Sequence, residues 1–168
     1  MRVLGIDPGL RLTGYGCLNK DDRLPSASGT VVEAGVLRLV PSGGPAPPIE
    51  ARLLELDRDL SEMLERLRPE AVAVEALFAH PAHPATAIKM AHARGVILLA
   101  VRRAGLELIE LAPREIKRAV TASGRAGKTQ MQEAVRARLG LPGPLNPPDV
   151  ADALAVAMAA SARSTIAR

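Results

Sequence analysis

Val3-Leu4-Gly5-Ile6-Asp7-Pro8-Gly9 is an apolar run that stops at an acid and a Pro-Gly turn. A short apolar run closed by turn residues predicts a strand buried on both faces, where a carboxylate is costly unless something pairs with it. No base follows directly, because Pro8, Gly9 and Leu10 come first. Asp7 therefore has two readings: it caps the turn through the local backbone, or it points at a metal ion or phosphate.

Ala71-Val72-Ala73-Val74-Glu75 repeats the device, a buried-strand pattern ending in an acid. Two parallel central strands with acids at their carboxyl ends place both side chains at one rim of a sheet, where open α/β sheets bind ligands. A third element joins them. After the break at Pro142 to Pro148, Asp149-Val-Ala-Asp152 sets two carboxylates three residues apart in the first turn of an otherwise Ala-rich, aliphatic helix. Helix-capping and dipole effects account for one acid there. Asp152 is harder to explain that way, and a helix packed on the sheet turns one of the two toward Asp7 and Glu75.

The intervening segments fill out an alternating α/β chain. Leu12 to Leu18 predicts a second strand, antiparallel to the first across a tight hairpin, and Val31 to Val40 a third. Pro41 to Pro48 is a stiff connector. Apolar residues at 49, 53, 56, 60, 64 and 67 step by three or four, predicting an amphipathic helix that stops at Pro69. A long helix is expected from about Ala85 to Ala104, where Ala91, Ala93 and Gly95 permit close approach by the sheet or a partner subunit. A strand over Leu106 to Leu111, a helix from Pro113 to Val120 and another from about Thr129 to Leu139 complete the set.

At 168 residues the chain fits a single domain spanning 1–168. Cys17 is the only cysteine, so no internal disulfide forms; its apolar setting suits a core residue and a cytoplasmic environment. Neither a signal peptide nor an apolar run long enough for a membrane is present. Residues 87–140 hold eleven Lys or Arg against four Asp or Glu, leaving the remainder at −3 in a chain that totals +4. A basic block beside separate acids suits an enzyme acting on a polyanion, although solvated helix faces would look similar. Gly127-Lys128-Thr129 imitates the end of a phosphate-binding P-loop, but its first glycine falls at Ala122 and a helix precedes it where a strand is required. Lys117, Arg118, Arg125 and Lys128 still surround a glycine loop suited to sugar-phosphate backbone.

Four converging carboxylates raise each other's pKa unless a counter-charge is present. Hard oxygen ligands suit Mg²⁺ or Mn²⁺, and four acids are enough for two such ions. Two metals can activate water and steady the leaving oxygen in a displacement at phosphorus, which needs no protein nucleophile. His80, His83 and His92 are too loosely spaced for a zinc site and read as loop and helix surface residues.

Gly-Ile-Asp7-Pro-Gly with Thr13-Gly14-Tyr15-Gly16, Val-Glu75-Ala-Leu-Phe78, Ala-Arg94-Gly95, Ala112-Pro113 through Lys128, and Asp149-Val-Ala-Asp152-Ala-Leu-Ala occur in order over nearly the whole chain. Together they resemble the RuvC-type Holliday junction resolvases. The resemblance implies a ribonuclease H-like α/β fold, a five-stranded mixed sheet flanked by helices on both faces. It implies a homodimer that binds a four-way DNA junction, nicks two opposed strands symmetrically and works with a branch-migration helicase complex. Asp7, Glu75, Asp149 and Asp152 match the family's metal-binding and catalytic acids, with His also used by the family at the position of Asp149. Lys117 and Lys128 match basic positions near the scissile phosphate, and Phe78 matches an aromatic contact with a junction base. Two rival readings share parts of the pattern. An actin-like or sugar-kinase-type ATPase also opens with a strand, an acid and a glycine hairpin, but needs two such lobes; a non-catalytic DNA-binding module would not need four acids.

Overall fold

The alternation of side chains along the two central strands decides how the helices pack. The computed structural model describes residues 1–20, 29–76 and 84–166. Five strands, β1 (Arg2–Asp7), β2 (Leu12–Asn19), β3 (Thr30–Arg38), β4 (Ala71–Glu75) and β5 (Glu107–Leu111), form one sheet in the order β3-β2-β1-β4-β5. The β1–β2 and β2–β3 pairs are antiparallel, while β1–β4 and β4–β5 are parallel. The helices are α1 (Ile49–Leu67), α2 (Pro84–Arg103), α3 (Pro113–Thr121), α4 (Lys128–Arg138) and α5 (Pro148–Ile166).

One face of the sheet carries Leu4, Ile6, Cys17, Val72 and Val74, and these pack under α1 and α2. Cys17 has no exposed surface, and burial pushes its thiol up to about 11, so it behaves as a small core residue. The other face presents smaller groups. Val3, Gly5 and Asp7 alternate on β1, Gly14 and Gly16 on β2, and Ala71, Ala73 and Glu75 on β4. The Ala-rich helix α5 lies directly on this surface, with α3 and α4 packed against α5 in turn.

Backbone proximity here is extreme. A Cβ at Gly5 would lie 2.2 Å from Ala153 O and 2.5 Å from Ala157 N; one at Gly14 would lie 2.2 Å from Asp149 O. The glycines thus make the bed in which the N-terminal half of α5 rests, and they set where the helix begins relative to the ends of β1 and β4.

The expected elements all form, with ends displaced by one or two residues. The third strand stops at Arg38, and Leu39 and Val40 are buried beyond it, with Leu39 N donating to Arg11 O at 3.0 Å. Helix α1 ends at Leu67, one residue before Arg68 takes a left-handed conformation. On α2 the small residues divide: Ala93 is buried, whereas Ala91 and Gly95 are exposed, and a Cβ at Gly95 would meet nothing within 4 Å. Helix α4 does follow Gly127 at the end of an α3–loop segment with no strand ahead of it, so the P-loop resemblance is excluded by structure.

Gly5→Ala is expected to destabilise the protein by about 2–4 kcal/mol, lowering the melting temperature by roughly 5–15 °C, because neither contacted group is a flexible side chain. Gly44→Ala is the control, since its Cβ would meet only Pro41 Cβ at 3.9 Å. Thermal melts monitored by far-ultraviolet circular dichroism check both.

Candidate active site

All five strands contribute an end to one rim of the sheet. Asp7 closes β1 and Glu75 closes the parallel β4, and the Asp7↔Gly14 and Leu12↔Arg38 pairs carry the rim across β2 to the end of β3. Both acids project from the face covered by α5, because each continues the alternation of its strand. Helix α5 starts above this rim. Asp149 and Asp152, both partly buried, lie in its first turns, with Asp149 O and Cβ held over Gly14.

Pro8 and Gly9 turn the chain away immediately after Asp7, and the turn is tightly tied. Thr13 Oγ1 donates to Gly9 O at 2.7 Å and accepts from Gly9 N at 3.3 Å, while Arg52 Nη1 on α1 donates to Leu10 O at 2.9 Å. Glu75 is anchored through its backbone. Arg94 on α2, only 6% exposed, donates from Nη1 to Glu75 O at 2.7 Å and pairs through Nη2 with Glu110 on β5. The adjacent Ala76 N donates to Leu111 O at 2.8 Å, extending the β4–β5 ladder past the acid.

The electrostatics confirm that the four acids share one field. Asp7 is pushed up to about 7 by burial first, then by Asp152, Asp149 and Glu75, with Lys128 acting in the opposite sense. Burial, then Asp152, also raises Glu75, whose carboxyl keeps a solvent-facing side, and Lys117 opposes that rise. Lys128 Nζ lies 3.3 Å from Asp152 Oδ2, at the start of α4. Two of the basic residues named from sequence therefore border the acids.

The others are placed differently. Arg118 is exposed on α3 and lines a groove shared with α4, together with Ser123 and Arg138. Arg125 is exposed in the loop between α3 and α4, its amide donating to Ser123 Oγ at 3.3 Å. His92 is exposed on α2, with Nδ1 2.8 Å from Ile88 O. Phe78, His80 and His83 lie outside the described residues.

The donor set fits a hard divalent cation in kind: carboxylate oxygens alone, three of them raising the pKa of a fourth, with too little positive charge nearby to offset them. Among the described residues the side chains do not gather into a finished coordination cluster, and Asp152 is turned to Lys128.

Sequence reasoning missed Arg94 and the glycine bed. Arg94 stands next to Gly95 in a motif already noted, but a single arginine in a helix gives no sign of being buried. The glycines alternate at 14 and 16 and recur at 5, a period-2 signal for a helix lying close on a sheet.

The family model described as "Crossover junction endodeoxyribonuclease RuvC" matches residues 3–160. A RuvC protein of that name from Pelotomaculum thermopropionicum is 43% identical over 159 residues, spanning 94% of this chain and 91% of the relative. Another from Anaeromyxobacter sp. is 44% identical over 167 residues, spanning 99% and 84%. Among solved structures, T. thermophilus RuvC in complex with Holliday junction substrate superposes with a TM-score of 0.87 at 31% identity, covering 99% of this chain and 96% of that one.

A carboxyl whose folded pKa is raised from 3.8 to about 7 holds its proton longer in the folded than in the unfolded state. Its contribution favours folding least above pH 7 and is neutral below about 4, so metal-free stability falls as pH rises through that window. Asp7→Asn removes the penalty. After discounting for partial exposure, the variant is expected to gain about 2 kcal/mol, or roughly 4–8 °C, over the parent at pH 8 in chelator, and little at pH 4. Melting temperatures across that range provide the check.

Proposed function

This chain belongs to the RuvC family of crossover junction endodeoxyribonucleases, and from that premise we propose how its residues carry out the reaction and how it assembles. It is a nuclease that resolves Holliday junctions in recombination and repair, on a ribonuclease H-like fold. The observation that carries the site assignment is the raised pKa of Asp7, which records Asp152, Asp149 and Glu75 in one partly desolvated field at the sheet rim.

Asp7, Glu75, Asp149 and Asp152 are the residues that would hold Mg²⁺ or Mn²⁺, two ions per site. When bound, the metals supply Lewis-acid activation of water and stabilisation of charge on the leaving oxygen. The protein contributes position. Asp7 and Glu75 are fixed by the strand ends and by Arg94, and α5 sets Asp149 and Asp152 over Gly14. Lys128, joined to Asp152 when the site holds no substrate, and Lys117, close enough to act on Glu75, are placed to take phosphate oxygens of the cut strand. Arg118, Arg125 and Phe78 extend the DNA contact, the last against a junction base.

The substrate calls for two such sites. Opposed strands of a junction are cut in symmetric pairs by a two-fold dimer, and the outer side of α2 suits the interface. Ile88 is 60% exposed and Leu99 48% exposed, and with Ala91 and Gly95 they form a stripe at helical spacing. The working unit is one nuclease domain per subunit, acting in the cytoplasm with a branch-migration helicase complex. No helix of the described residues is long and apolar enough to cross a membrane.

Asp7→Asn, Glu75→Gln and Asp152→Asn are each expected to slow cleavage of a synthetic four-way junction in Mg²⁺ by at least about 100-fold, the upper end of what a lost outer-shell metal partner costs, with junction binding retained. Parent-like cleavage by any of them would remove that residue from the site. For the dimer, Ile88→Asp combined with Leu99→Asp is expected to give monomers in sedimentation velocity at micromolar concentration with unchanged circular dichroism. An unchanged sedimentation coefficient for a dimeric parent would place the interface elsewhere.

A further inference from the structure

We propose that Arg11 and Arg38 form a second phosphate-binding wall on the β3 side of the acids, gripping the DNA strand at a phosphate flanking the one that is cut. The proposal rests on the junction-cleaving reading above and adds residues to the opposite flank from Lys117 and Lys128.

A cleft of about 520 Å³ opens at the sheet rim beside the site, and Arg11, Arg38 and Asp149 line it along with the Gly9–Leu12 turn and the Pro41–Gly43 segment. Asp149 is its only acid. Both arginines are exposed, and neither has a carboxylate within ion-pair distance among the described residues, unlike Arg66, Arg94, Arg103 and Arg163. Unpaired guanidiniums facing one cleft suit a planar, bidentate acceptor such as phosphate.

The placement is built into the register. Arg38 ends β3 opposite Leu12, and it follows Ala34 and Val36 in projecting from the α5 face, the face from which Asp7 and Glu75 also project. Arg11 precedes Leu12 in the turn, and Leu39 N donates to Arg11 O at 3.0 Å, which ties the two arginine-bearing segments together. The turn is further pinned by Thr13 and by Arg52, a partly buried side chain whose Nη1 reaches Leu10 O while its Nε has no hydrogen-bond partner. An arginine kept there at that cost marks a turn whose shape is needed. Along the rim the order is therefore Arg38 and Arg11, then Asp149 and Asp7, then Glu75, then Lys117 and Lys128. A polyanionic strand crossing it meets cations, acids and cations in turn. Two inter-strand spacings, about 10 Å, separate β3 from β1, which puts the arginine wall about one to three phosphates from the cut.

The test separates the clamp from the reaction. Binding of a fluorescent four-way junction is measured by anisotropy in Ca²⁺ for the parent, Arg11→Gln, Arg38→Gln and the double variant, over a salt series. The double variant is expected to bind about tenfold or more weakly, with the log–log salt slope shallower by about 2, close to 0.9 per lost phosphate contact. Replacing single phosphates by neutral methylphosphonates locates the contact. The parent is expected to lose affinity at one flanking position, and the double variant to be insensitive there; Arg→Lys at both sites restores part of the salt slope. Unchanged affinity and slope in the double variant, or equal methylphosphonate sensitivity, overturns the clamp, as does failure of the parent to bind. Cleavage in Mg²⁺ is read separately: a parent that binds a junction but does not cut it counts against the nuclease assignment and leaves the binding result to decide the clamp.

Discussion

The contact on which the rest depends is the seating of α5 against the bare backbone of β1 and β2. Gly5, Gly14 and Gly16 remove the side chains that would otherwise hold a helix about 10 Å from the sheet, and Ala153 and Ala157 answer with small groups of their own. With the helix axis so low, its first turn comes down at the level of the strand ends, and carboxylates from one helix and two strands meet in one volume. The opposite face of the sheet is built with Leu, Ile and Val, and there α1 and α2 pack through full-sized side chains. The asymmetry between the two faces locates the site.

The same seating creates the electrostatic problem that the site exists to solve. Two like charges about 4 Å apart at a protein rim repel by about 4 kcal/mol, and a solvent-exposed ion pair returns about 1 kcal/mol or less. Lys128 on Asp152 therefore does not balance four acids, and Asp7 answers by holding its proton to about pH 7. The folded chain keeps this unfavourable arrangement because the apolar core beneath it, from Leu154 to Ala160 on α5, is almost completely buried. Function is thus carried at the expense of stability at one edge of a well-packed body.

Much of this was legible in the residues. The acids at 7, 75, 149 and 152 declared themselves by ending buried strands or interrupting an Ala-rich helix, patterns in which a charge needs a reason. The strand set followed from period-2 runs and turn residues, and the family resemblance supplied the topology. What the sequence could not give was depth and register. The two readings of Asp7, turn cap or ligand, differ only in what stands opposite its carboxyl, and that depends on α5 lying at a particular height. Arg11 and Arg38 are 27 positions apart and look like ordinary surface arginines until the Leu12↔Arg38 pairing brings them to one cleft. Arg94 reads as one cation in a basic block, whereas in the fold it is buried and bonded to the peptide of an acid.

That buried arginine makes α2 a lever. Its inner side grips Glu75 O and Glu110, and its outer side is the bare stripe of Ile88 and Leu99. A helix of 20 residues transmits a displacement rigidly over its length of about 30 Å. Whatever seats on the outer stripe therefore sets the height of the β4 terminus as well, and mechanical registration at one surface becomes registration of a carboxylate at another, with no loop between them to absorb the motion.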